Sequence, residues 1–243
     1  MFPTLVKVGN FEITTFGLMM FLAFVLGGWI LAREFRRQGI GEELASSIVV
    51  AGAIGGIVGA KIYYAILFKD WRLLFDRAGL VWYGGLIGGF LAASWVVWRA
   101  RVDYLKAADA AAPALSLGYA LGRIGCFLVG DDYGHPSTVP WAVAFPEGYP
   151  PTSVPVHPTQ LYEALPLFAI GWLLLRWRRQ RQSDAFVLGR YLIFAGGLRF
   201  AIEFVRVNER VLGPLTVAHL ASLAAVAAGV YVASRAVGSS PPG

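Results

Sequence analysis

Residues 14–32 read TTFGLMMFLAFVLGGWILA, a run without an ionisable side chain. A helix rises about 1.5 Å per residue, so about 20 such residues cross the hydrocarbon core of a bilayer. Largely apolar stretches of comparable length recur at 44–67, 80–98, 107–129, 158–175, 185–205 and 215–234. Inside lipid every backbone N–H and C=O needs a partner within its own segment, which makes helices the default. The runs are continuously apolar rather than alternating, which argues against a membrane β-barrel. The reading is an all-α polytopic membrane protein with seven transmembrane helices. Composition agrees: 57% of residues are hydrophobic and 15% charged, against about 45–50% and about 25% in soluble domains. Mean hydropathy is +0.59.

The net charge of +6 would suggest nucleic acid in a soluble protein. Here the basic residues form short blocks between apolar runs, and no basic surface domain exists to bind a nucleic acid. Arg33, Arg36 and Arg37 follow the first run. Arg99, Arg101 and Lys106 lie between the third and fourth, Arg176, Arg178, Arg179 and Arg181 follow the fifth, and Arg235 follows the seventh. Basic loops stay inside, so the expected N-terminus is out and the C-terminus in. Lys69, Arg72, Arg77, Arg206 and Arg210 fall on the opposite side. Residues 131–157 form a long outer loop whose prolines and glycine oppose helix and predict an irregular segment. The expected organisation is one transmembrane domain over 1–237 and a disordered tail over 238–243. Met1–Phe11 lacks the features of a cleaved signal peptide. The sole cysteine, Cys126, excludes an intramolecular disulfide.

Charges inside a span cost about 2.5–3.5 kcal/mol each on insertion scales, so each needs a reason. Near the outward ends of the spans stand Lys61, Arg123, Asp131, Asp132, His157, Glu163, Arg199, Glu203 and Arg206. Arg199, Glu203 and Arg206 share one helix face by their spacing. They read either as a structural ion network or as guanidinium groups held by a carboxylate and aimed at a phosphate, whose oxygens the arginine fork matches two at a time. Arg123, within Gly122-Arg123-Ile124-Gly125, reads as a snorkelling arginine in a packing motif or as a second anion ligand.

The run from Trp82 through Tyr83, Gly84 and Gly85 to Gly88 and Gly89 predicts either tight helix packing or a backbone opened around a headgroup. His157, Gln160, Tyr162 and Glu163 give the fifth span a polar start that suits a cavity wall. The three histidines, His135, His157 and His219, lack ligand spacing, so no metal is expected. Cys126 reads as a small hydrophobe or as a weak candidate nucleophile.

Four motifs in order resemble the bacterial prolipoprotein diacylglyceryl transferases: Tyr83-Gly-Gly-Leu, Gly122-Arg-Ile-Gly with Asp131 and Gly134, His157-Pro-Thr-Gln-Leu-Tyr-Glu, and Arg199 through Arg206. The resemblance implies a seven-helix enzyme of the bacterial plasma (inner) membrane with its active site toward the outer face. It implies transfer of the diacylglyceryl group of phosphatidylglycerol to the lipobox cysteine in a prolipoprotein signal peptide. A thioether forms and glycerol-1-phosphate leaves, with no cofactor. Arg123 and Arg199 match the phosphate-holding arginines and Glu203 their acidic partner. Tyr83, His157 and Asp131 join the arginines as candidate catalytic residues. Gly84, Gly85, Gly134, Gln160, Tyr162, Glu163, Glu203 and Arg206 are the candidate substrate contacts. Membrane lipids are the surroundings and a monomer the expected state.

The chain departs from the family's pattern in places. The first motif often has histidine where this chain has Tyr83, and Cys126, Val129 and Asp131 replace two Asn and a Glu. Phe16 and Ala195 stand where aromatic hydroxyls are expected. The expected chemistry is therefore arginine-assisted, without a dedicated histidine base. Two alternatives remain at this stage. One is a divergent member that binds anionic lipid but is catalytically weak or uses another acceptor. The other is a small membrane transporter, which intramembrane Arg–Glu pairs also fit.

Overall fold

A computed structural model describes residues 4–8, 11–75, 79, 81–180 and 185–237. Arg77, Arg181 and the tail at 238–243 lie outside the described residues. Among those residues seven α-helices run in order: α1 (Thr15–Arg37), α2 (Glu43–Phe68), α3 (Trp82–Arg99), α4 (Tyr104–Val129), α5 (Thr159–Arg179), α6 (Phe186–Glu203) and α7 (Val217–Val237). Each predicted apolar stretch has its helix. Four of them, α1, α2, α4 and α7, are long and apolar enough to cross a membrane by composition.

Several helices extend beyond their apolar runs. α1 continues to Arg37 and α5 to Arg179. Arginine is a good helix former, and basic residues in a last turn complement the helix dipole. The fold is not purely helical: three two-stranded antiparallel sheets accompany the helices. β1 (Thr4–Val8) pairs with β2 (Phe11–Thr14), β3 (Val143–Phe145) with β4 (Thr152–Val156), and β5 (Arg210–Leu212) with β6 (Leu215–Thr216). The strands are too short for a periodicity to stand out in sequence. The loop at 131–157 is thus partly regular. Phe145 is fully buried and stacks on Tyr133, with ring centroids 5.4 Å apart, and meets Phe127 edge-on.

The chain divides into two compact units, Met1–Gly27 with Asp109–Gly243, and Gly28–Ala108. In the second unit α2 and α3 pack through glycines. A Cβ on Gly84 would lie 2.4 Å from the Gly59 carbonyl oxygen, and one on Gly88 would lie 2.3 Å from that of Gly55. Small residues let helix backbones approach in lipid, where dispersion replaces the hydrophobic effect as the driving force. The glycines after Tyr83 therefore sit in a continuous helix and serve that pairing.

In the first unit the same device joins α6 to α7, where Gly189 and Gly229 face each other's backbone. α4 and α5 are joined by polar contacts. The Ser116 hydroxyl donates to the Leu167 carbonyl at 2.8 Å. Asp109, fully buried near the start of α4, pairs with Arg178 on α5 and accepts the Leu188 backbone N–H at 2.8 Å in the first turn of α6. One carboxylate thus ties three helices together. Large apolar side chains such as Phe21, Ile54, Phe90, Leu165 and Tyr231 are exposed, while Arg123, Glu163 and Glu203 are buried. That inversion of ordinary burial fits lipid as the surrounding solvent.

Candidate active site

The charges that the sequence singles out in the first unit meet where α4 stops, α5 starts and α6 stops. The chain gets there through a tight crossing at Gly134. Its N–H donates to the His157 carbonyl at 2.9 Å, and it bridges to Arg206. A Cβ on Gly134 would lie 2.3 Å from the Val205 carbonyl oxygen and 2.8 Å from Thr159 Cγ2. Glycine is required by this close approach of backbones.

Six charged side chains form a closed alternating ring. Arg123 Nη1 lies 2.9 Å from Asp132 Oδ2, and Asp132 Oδ1 lies 3.1 Å from Arg206 Nη2. Arg206 Nε is 3.9 Å from Glu203 Oε2, which is 2.6 Å from Arg199 Nη2. Arg199 Nη1 is 3.4 Å from Glu163 Oε1, and the other oxygen of Glu163 contacts Arg123 Nε to close the circuit. Arg123 and Arg199 therefore converge on one carboxylate, from two different helices. The sum of three guanidiniums and three carboxylates is formally neutral, which makes so many charges tolerable inside an apolar protein.

Two of the carboxylates are locked. Glu163, 1% exposed, also accepts the Tyr119 hydroxyl at 3.2 Å. Glu203, 2% exposed, accepts the Thr216 hydroxyl at 2.6 Å and the Asn208 amide at 2.7 Å through its second oxygen. Thr216 is itself held by His219, whose Nδ1 accepts the Thr216 backbone N–H at 3.2 Å. That bond makes Nδ1 an acceptor. His219 lies between Phe200 and Phe204. The third carboxylate, Asp132, has a half-exposed side chain. Burial pushes its carboxyl up, and the nearby guanidiniums of Arg206 and Arg123 outweigh that and hold it below the usual carboxylate range.

Asp131, the preceding residue, stays outside the ring. Gln160 Nε2 donates to its backbone carbonyl at 2.6 Å. Burial raises its carboxyl above the usual range, an effect that the hydrogen bond from Cys126 opposes and the neighbouring Asp132 charge reinforces. Oδ1 of Asp131, Oε1 of Gln160 and Nη2 of Arg123 are buried without a hydrogen-bond partner among the described residues. His157 Nδ1 lies 3.1 Å from the Tyr162 hydroxyl, which accepts the Trp141 indole N–H at 2.7 Å.

Of the sequence-predicted residues, Arg123, Arg199, Glu163, Glu203 and Arg206 enter the ring. Asp131, Gln160 and Gly134 border it, and His157 and Tyr162 form an adjoining pair. Tyr83, Gly84 and Gly85 belong to the other unit, where Tyr83 is exposed and meets Trp82 edge-on. Tyr119, Asn208, Thr216 and Trp141 were not anticipated. Their hydroxyl, amide and indole groups cost little in an apolar sequence and leave no signal there. Among the described residues no group of three or more His, Cys, Asp or Glu side chains is placed to hold a metal. A concavity of about 600 Å³ on the loop, lined by residues such as Pro136, Val139 and Pro155, carries no ionisable side chain.

The sequence profile of the family described as prolipoprotein diacylglyceryl transferase matches residues 3–235. The chain is 36% identical over 227 residues to the phosphatidylglycerol–prolipoprotein diacylglyceryl transferase of Pseudomonas putida strain F1, an alignment covering 87% of this chain and 83% of that protein. It is 32% identical over 224 residues to the protein of that name from Vibrio parahaemolyticus, covering 87% and 80%. For the Clostridium tetani protein of that name the identity is 30% over 238 residues, covering 95% and 96%. A match over nearly the whole length, with these identities to relatives of one name, leads to one conclusion: the chain belongs to the prolipoprotein diacylglyceryl transferase family.

Proposed function

We propose that this transferase moves the diacylglyceryl group of phosphatidylglycerol to the lipobox cysteine thiol of a prolipoprotein signal peptide and releases glycerol-1-phosphate. The observation that carries the proposal is the convergence of Arg123 and Arg199 on the buried carboxylate of Glu163 within the ring. A phosphate diester presents the same kind of paired oxygens as a carboxylate. The unpartnered, buried Nη2 of Arg123 leaves a donor for it. The seven helices cross the bacterial plasma membrane with the N-terminus out, and the ring lies toward the outer face. This orientation rests on the basic residues at Arg36, Arg37, Arg99, Arg178 and Arg179, at the ends of helices remote from the ring in sequence.

The thiol must ionise, because thiolate is the nucleophile. Its proton passes to Asp131, which burial makes a stronger base than an ordinary carboxylate. His157 is engaged with Tyr162 and orients that hydroxyl instead. The sulfur attacks the glyceryl carbon that bears the phosphate ester. The C–O bond breaks, its electron pair leaves on glycerol-1-phosphate, and a C–S thioether forms. Arg123 and Arg199 stabilise the charge gathering on the departing phosphate in a site of low dielectric.

The test is transfer from labelled phosphatidylglycerol to a lipobox peptide by purified protein. The expected result is a peptide cysteine carrying the diacylglyceryl mass, and loss of that product with Arg123→Ala. Normal transfer by a folded Arg123→Ala protein overturns the assignment.

A further inference from the structure

The three carboxylates of the ring are not equivalent. Glu163 and Glu203 are buried and receive additional hydrogen bonds from Tyr119, Thr216 and Asn208. The side chain of Asp132 is 52% exposed, and among the described residues it pairs with Arg123 and Arg206. It contacts one guanidinium with each oxygen, so its carboxylate spans the fork between them. Its backbone is in the left-handed region, with φ at 60°, and is anchored by the Thr159 hydroxyl, which donates to its carbonyl at 2.8 Å.

Resting on the proposed function, we infer that Asp132 is a stand-in for the substrate phosphate: its carboxylate fills the seat between Arg123 and Arg206 until the lipid phosphate displaces it. A neutral ring has no net attraction for a further anion. A phosphate added to it would set four anionic groups against three guanidiniums in a low dielectric, so one anion must leave. Glu163 and Glu203 are held in place, because moving either would strand buried arginines. Asp132 alone reaches water, and rotation of its side chain moves the carboxylate while Thr159 keeps the backbone in place. The arginines hold it ionised, so it is a full competitor for the seat at neutral pH.

Asp132 then acts as a positioning and selectivity residue. It keeps the guanidinium groups spread and matched when no lipid is bound. It sets a threshold that a weak anion does not pass, and its return helps to expel glycerol-1-phosphate. An occupied seat lowers apparent affinity by the fraction of molecules in which the seat is open.

The experiment compares wild type with Asp132→Asn in detergent micelles, reading KM for phosphatidylglycerol and the inhibition constant of added glycerol-1-phosphate. Both constants are expected to fall together, by about fivefold, since the neutral amide competes poorly for guanidinium groups. If Asp132 merely props Arg123, both constants rise, and a rise or no change overturns the inference. A second measurement uses the unaltered protein, so it does not depend on the variant folding. Labelling of carboxylates by a water-soluble carbodiimide and an amine is mapped by mass spectrometry, with and without glycerol-1-phosphate. Labelling of Asp132 is expected to increase with the phosphate present, and unchanged or reduced labelling overturns the inference. The parent reading fails separately: Arg123→Lys with unaltered constants removes the phosphate from this site altogether, whereas impaired Arg123→Lys beside an unaltered Asp132→Asn removes only the role of Asp132.

Discussion

α4 carries a buried charge near each end, and the two places use charge differently. Near its start Asp109 meets Arg178 and the first turn of α6. Fourteen residues on, about 20 Å along the helix, Arg123 joins the ring of three arginines and three carboxylates. Asp109 is fully buried and Arg178 nearly so, and the contact is closed to water. The ring has an exposed member and a buried guanidinium nitrogen without a hydrogen bond among the described residues. A saturated pair is built to fasten helices, while a ring with one exposed carboxylate is built to exchange it for a ligand. The comparison supplies a rule for telling a structural charge from a working one in a membrane protein: ask which partner can leave.

Breaking the ring is expected to have the largest effect on chemistry. Arg199→Ala removes a donor to the developing phosphate charge, and kcat/KM in the peptide transfer assay should fall by roughly 10²–10³-fold. Breaking the fastening should do the reverse. Asp109→Ala leaves Arg178 without this carboxylate and the α6 start without its acceptor. A loss of about 3–5 kcal/mol in stability is expected, read as an earlier unfolding transition in detergent, with the transfer rate per folded molecule within about twofold of wild type. An Asp109→Ala protein that unfolds normally but fails to transfer would erase the distinction.

Much of this contrast is legible in the sequence, and its limits are physical. The seven helices stand out because about 20 apolar residues have few other uses. Arg123, Glu163, Arg199, Glu203 and Arg206 stand out because an unexplained charge in a span is costly. Asp109 did not, since it sits early in an alanine-rich run beside the basic block at Arg99, Arg101 and Lys106 and reads as part of the boundary. The pairing within the ring was not legible either. Spacing shows that Arg199 and Glu203 share a face of α6, but α6 ends at Glu203 and Arg206 lies past it in a bridge to Gly134; that Arg123 reaches Glu163, or that Asp132 bridges to Arg206, depends on that chain crossing. The glycines after Tyr83 left packing and headgroup contact equally open, and only the backbone of α2 decides for packing. The short strands at 143–145 and 152–156 follow from burial of Phe145 and Val156, which no periodicity over three to five residues reveals.

Smaller changes sharpen the same contrast. Thr216→Val removes the hydroxyl donated to Glu203 and keeps the side chain's shape. A loss of about 1 kcal/mol is expected, appearing as a fall in kcat/KM of about fivefold, because Glu203 then holds Arg199 less firmly. Asn208→Ala should act in the same direction. Ser116→Ala deletes the hydrogen bond from α4 to the Leu167 carbonyl, well within the bundle. Its effect should be about 0.6 kcal/mol on stability, seen in the unfolding midpoint, with no change in KM.

The central claim is that the lipid phosphate sits among the guanidinium groups of Arg123, Arg199 and Arg206. Solid-state NMR on protein labelled with ¹⁵N-arginine, in vesicles containing phosphatidylglycerol, measures the distance from phosphorus to guanidinium nitrogen directly. The account predicts contacts of about 4 Å, as expected for a phosphate hydrogen-bonded by arginine, and their loss in Arg123→Ala. Phosphorus contacts confined to the basic helix ends at Arg36, Arg37, Arg178 and Arg179, with none to Arg123 or Arg199, would contradict it.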